Sequence, residues 1–150
     1  MRALAVVVLL VGSAVVAQAG LAGTWTLDPA GRGGRGNFAG YATATRMVIT
    51  ESATEVTIQT NTGTENQPVT ATYKLDGSEN PVPGPLGWDT RASAARQDGR
   101  LVVTIKRSID GPDGKLHFEI RDAYTVAGDV LTLERSQGSR TQKMVYKRTS

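Results

Sequence analysis

Period-two alternation is the feature that most constrains this chain. From Thr24 onward, apolar and polar residues trade places along short segments rich in threonine and valine. Thr24-Trp25-Thr26-Leu27 alternates, as do Arg46 to Thr50 and Glu55 to Thr60. The rows Val69, Ala71, Tyr73, Leu75 and Leu101, Val103, Ile105 follow, then Leu116, Phe118, Ile120, then Val130 to Leu133, then Met144 with Tyr146. Turn residues separate them: Asp76-Gly77, Asp98-Gly99, Asp110-Gly111, Gly128-Asp129 and Gln137-Gly138. Alternating runs broken by such turns read as an antiparallel meander. No window after Gly20 carries a helical stripe.

A meander of 8–9 strands has two exposed edges, and closure into a barrel removes them. The expected fold class is therefore all-β, an up-and-down meander closed into a barrel. About eight strands enclose either packed side chains or room for one small ligand. Small residues at Ala71, Ala92, Ala94 and Ala95 favour a cavity, unless they pack beside Tyr73, Trp88 or Phe118. Two stretches interrupt the rhythm. Pro29 to Gly40 is glycine-rich, and Asn80 to Gly87 is proline-rich and unsuited to donate to a sheet.

Residues 1–19 read as a signal peptide. Met1-Arg2 is positive, Ala3 to Val11 is apolar, and Ala17-Gln18-Ala19 is a small-x-small cleavage pattern. The apolar run is broken at Gly12-Ser13 and is shorter than the roughly 20 residues needed to span a bilayer, so no stable membrane anchor is expected. The domain is then 20–150, exported to the periplasm or secreted. Loss of Arg2 lowers the net charge of +3 by one. So weak a balance, with signs interspersed, does not argue for nucleic acid. The chain has no cysteine. That removes thiolate catalysis, cysteine-ligated metals and lipid attachment to a cysteine after the leader.

Gly23-Thr24-Trp25, within Leu21 to Asp28, resembles the Gly-x-Trp opening of lipocalin-like (calycin-type) proteins, including small exported bacterial ones. The resemblance implies that Trp25 closes one end of the barrel and that a basic residue near the C-terminus, Arg148 or Lys147, packs over it. It implies that Pro29 to Gly40 is a lid over the open end. Asp122-Ala123-Tyr124 is similar to the family's Thr-Asp-Tyr loop, departing at two of three positions. It further implies a small apolar or amphipathic ligand in the barrel, with no cofactor.

The candidate ligand-binding residues are Arg32, Arg35, Phe38, Tyr73, Trp88, Phe118, Asp122 and Tyr124. Arg32 and Arg35, on the lid, would meet an anionic head group, or else stay solvated. The aromatics would line a pocket, or equally form a plain core. Asp122 continues the row of Ile120 and so faces inward, where a carboxylate is costly unless paired. It is a ligand contact, a general base with Tyr73 or Tyr124, or half of an ion pair with Arg107 or Arg135. Gly31-x-Gly33-x-x-Gly36 lacks the helix that a phosphate cradle needs. Arg32-Gly33-Gly34 is a single RNA-type triplet. His117, the lone histidine, falls on the outward row, which argues against haem and zinc. Asp110 and Asp113 belong to ordinary hairpin chemistry. Three functions stand: a lipocalin-like binder of a hydrophobic or amphipathic ligand, a filled barrel serving as a structural or protein-binding module of the envelope, and a small hydrolase or isomerase using Asp122.

Overall fold

The computed structural model describes residues 20–31, 33, 43–62 and 67–149. The proposed leader and the candidates Arg32, Arg35 and Phe38 lie outside the described residues. Ten strands follow one another: β1 Gly23–Leu27, β2 Arg46–Glu51, β3 Glu55–Asn61, β4 Val69–Lys74, β5 Asn80–Pro81, β6 Asp89–Gln97, β7 Arg100–Gly111, β8 Gly114–Ala127, β9 Val130–Gln137 and β10 Arg140–Thr149. They form one sheet in the order β4-β3-β2-β1-β10-β9-β8-β7-β6-β5. Every pairing is antiparallel, and β1 zips onto β10, which curls the meander into a barrel. A single 3₁₀ turn, Pro29–Gly31, is the helical content among the described residues.

The expected strand count was one or two short. The difference lies in β5, two residues inside the proline-rich stretch that reads as a connection, and in β6, whose run of small residues from Ala92 to Ala95 carries little alternation of its own. Proline is tolerated at a sheet edge, where its missing N–H faces no partner, and β5 is such an edge. The barrel is nearly closed between β4 and β6. Gly77 N–H donates to Ala94 O at 3.1 Å across the seam, and the short β5 covers the rest.

The tight hairpins follow from turn chemistry. Between β6 and β7, Asp98 and Gly99 both take positive φ, 51° and 76°. That is the conformation a two-residue hairpin requires, and aspartate with glycine tolerates it best. The register then puts Leu101, Val103, Ile105 and Arg107 on the inner face of β7, opposite Tyr124, Asp122, Ile120 and Phe118 of β8.

One end of the barrel is sealed. Leu21, Trp25, Leu101 and Leu131 are almost fully buried there. Burying each such side chain stabilises the fold by roughly 1.5–3 kcal/mol. Trp25 Nε1 donates to Leu21 O at 2.9 Å. The Arg148 guanidinium lies 4.3 Å from the Trp25 ring centroid, and its Nη1 donates to Ala22 O at 2.7 Å. A side chain at position 23 would collide with that guanidinium, and Gly23 also takes φ +145°. The glycine of the Gly-x-Trp triplet is thus the space into which the arginine reaches.

Candidate functional site

The opposite end of the barrel holds a cavity of about 520 Å³. Its walls are the inner rows of the strands: Met47 and Ile58 on one side, Ile105, Leu133 and Met144 on the other. Thr60, Thr62 and Val69 border its mouth, together with the Val82 to Leu86 stretch. The β1–β2 connection leaves and rejoins the barrel at this same end. Leu27 N–H donates to Thr45 O at 2.9 Å, and Gly33 pairs with Lys143 on β10.

Three charged residues line the cavity among those described: Arg107, Asp122 and Arg135. Asp122 and Arg135 are direct partners across β8 and β9. Arg135 Nε donates to Asp122 Oδ1 at 2.8 Å and Nη2 to Oδ2 at 2.7 Å. Asp122 is 1% exposed, so the inward placement stands, and the ion-pair alternative accounts for it. Tyr124, next on the inner row of β8, is held neutral. Burial pushes its phenol well above the ordinary value of 10.0, and the negative charge of Asp122 pushes the same way.

Tyr73 also lines the cavity, half-buried on β4. Tyr146, which sequence reasoning did not select, lines it too and donates from its hydroxyl to Ala44 O at 3.0 Å. Thr90 and Arg107 were likewise not selected as ligand contacts. Both follow from alternation: Arg107 is one inward step beyond Ile105, and Thr90 one before Ala92. Ala95, by contrast, takes the outward parity of β6.

Trp88 and Phe118 stand elsewhere. Their ring centroids are 5.4 Å apart at 48°, and neither lines the cavity. Phe118 borders a second, charged groove of about 360 Å³ with Lys106, Glu119 and the exposed His117. Arg107 borders both spaces. Lys106 pairs with Glu79 there at 3.0 Å. No group of three or more metal-ligating side chains occurs among the described residues, and none of their helices is long and apolar enough to cross a membrane.

No protein-family model and no curated protein sequence matches the chain. Solved structures do. A fatty acid binding protein of Schistosoma mansoni in complex with arachidonic acid aligns at TM-score 0.61 and 16% identity, over 86% of this chain and 96% of that one. The wild-type fluorescent protein UnaG aligns at 0.59 and 14%, over 86% and 97%. Secretory abundant heat soluble protein 4 of Ramazzottius varieornatus aligns at 0.55 and 19%, over 70% and 69%. At such identities the likeness is one of fold. The chain shares with them the fold of a nearly closed antiparallel β-barrel, here sealed at Trp25 and with a cavity at the other end.

Proposed function

We propose that the chain is an exported binder of one small apolar or amphipathic molecule, carried in the barrel. The observation behind this reading is the cavity itself. A space of about 520 Å³ in which apolar side chains such as Met47, Ile58, Ile105 and Leu133 alternate with polar ones such as Thr60, Thr90, Arg107 and Tyr146 suits a small molecule with both apolar and polar parts. A barrel serving only as a scaffold gains from filling such a space, because unfilled volume forfeits packing contacts. The arachidonic-acid complex of the S. mansoni protein supports the same use of this architecture. The leader pattern at residues 1–19 supports a periplasmic or secreted location.

The test is native mass spectrometry of the full-length chain expressed in a bacterium, recovered from the periplasmic fraction and then extracted with solvent. A mass lacking residues 1–19 with a stoichiometric lipophile is the expected result. A periplasmic species that stays unliganded after incubation with fatty acids and other lipophiles would overturn the binder. A chain that keeps residues 1–19 would overturn cleavage.

A further inference from the structure

The β7–β8 hairpin runs further than its neighbours on one side. β8 pairs with β7 from Gly114 onward, but with β9 only from Arg121 onward. β9 ends at Gln137 and β10 begins at Arg140, so the chain has already turned back there. From Gly114 to Ile120, one edge of β8 therefore has no register partner among the described residues. An open edge presents a row of N–H and C=O groups with which another strand can pair. Gly114 to His117 and Glu119 are exposed, Phe118 is half-buried, and Leu116 keeps 51% of its surface in solvent. Such edges are ordinarily blunted by proline, by bulges or by charges that reject another strand. The free stretch contains no proline, and its charges match those of a second copy.

We propose that two copies of this chain pair through these edges, antiparallel, about a two-fold axis at His117. Length and charge select that register independently. Gly114 to Ile120 is centred on His117, so only this axis pairs the whole free stretch. Lys115 then faces the partner's Glu119 on one face of the ribbon, and Leu116 faces the partner's Phe118 on the other. Opposite charges and an aliphatic–aromatic pair are cross-strand combinations that favour pairing. Just past the free stretch, Asp113 comes opposite the partner's Arg121. Moving the axis to Leu116 sets Glu119 against the partner's Asp113, and moving it to Phe118 sets Lys115 against the partner's Arg121. Both bring like charges together, which opposes pairing. Existing contacts do not compete strongly. Lys115 reaches Asp110 at 3.6 Å in an exposed pair, worth little in water. Lys106, opposite Glu119 on β7, is bonded to Glu79. The contact uses the same patch on both copies, so it closes as a dimer rather than growing into a fibre.

The experiment is sedimentation equilibrium of the purified protein from about 10 μM to about 1 mM, the range in which so small an interface associates. A mass rising toward twice that of the monomer is expected. Lys115→Glu and Glu119→Lys should each keep the protein monomeric, and the two together should restore the dimer, because facing charges are opposite again. The chain has no cysteine, so a single introduced one reports the register. In His117→Cys the two Cα atoms stand roughly 4.5–5.5 Å apart, within reach of a disulfide. In Lys115→Cys they are offset by the span from Lys115 to Glu119, about 13 Å along the strand, and out of reach. Air oxidation should therefore cross-link His117→Cys roughly tenfold faster or more than Lys115→Cys. All three positions are exposed, and urea unfolding checks that each variant keeps its fold. A parent protein that stays monomeric throughout overturns the proposal. So does a dimer that survives Lys115→Glu, a double exchange that fails to restore it, or equal cross-linking of the two cysteine variants. Should a charge variant fail to fold, the parent mass and the cysteine pair decide the matter.

Discussion

Arg135 grips both carboxylate oxygens of Asp122 in the buried interior, at 2.8 and 2.7 Å, from directly opposite positions on β9 and β8. The planar guanidinium matches the carboxylate fork, so each charge is satisfied by the other rather than by water. The pair forms a rigid part of the cavity wall.

Breaking that ion pair on one side should be far worse than removing it altogether. Asp122→Ala strands a buried guanidinium and is expected to destabilise the fold by about 3–5 kcal/mol. The double variant Asp122→Leu with Arg135→Met should recover most of the loss, because an apolar pair replaces two desolvated charges. Urea unfolding of the single and double variants measures the difference. Equal losses in both would show that the pair is not coupled as the geometry implies.

Gly23→Ala should destabilise by about 1–3 kcal/mol, through the positive φ and the displaced guanidinium together. Arg148→Ala alone removes the ring contact and the bond to Ala22 O. In the Arg148→Ala background the steric part of the Gly23→Ala cost should vanish, a coupling that a double-mutant cycle reads directly. Strict additivity would mean that Gly23 is needed for its backbone alone.

The meander was legible because a strand's side chains alternate with a period of two, and each hairpin carries its own turn residues. The same parity put Asp122 and Tyr124 inside. It misled at Phe118, which has inward parity but lies on the part of β8 beyond its pairing with β9, which begins at Arg121. Parity fixes a face, not a height along the barrel. Trp88 sits in a loop and has no parity to read. β5 was hidden because Pro81 suppresses a strand signal except at an edge, and edges are known only once the sheet is assembled. Whether the barrel is hollow depends on side-chain volumes summed across many strands, which no single segment states. Arg32, Arg35 and Phe38, placed on the lid by resemblance, fall outside the described residues.

Tyr124 should make the fold sensitive to alkali. Its phenol is held well above 10.0 by burial and by Asp122, whereas in the unfolded chain it ionises near that value. Above pH of about 10 the unfolded state therefore binds fewer protons than the native state, and stability falls as pH rises. Below that pH the contribution is constant. Tyr124→Phe should flatten the fall in stability above pH 10 relative to the parent, measured by urea unfolding across the alkaline range. An identical slope in both proteins would assign the alkaline loss to other groups.

The Val82 to Leu86 stretch should govern how fast the cavity exchanges its contents. It borders the mouth, is tied to β6 by the Val82–Thr90 bond, and ends in a fully exposed Leu86. Gly84→Val places a branched side chain where Thr90 already stands, and the stretch must lift to admit it. The sealed core at Trp25 is at the other end, so the loss of global stability should stay within the roughly 1–3 kcal/mol of a locally overpacked contact. The dissociation rate of Nile red should rise several-fold, because a lifted flap no longer covers the opening. Stopped-flow displacement gives the rate, and urea unfolding gives the stability. An unchanged rate at unchanged stability would mean that ligand leaves by another route, with the β4–β6 seam the next place to look.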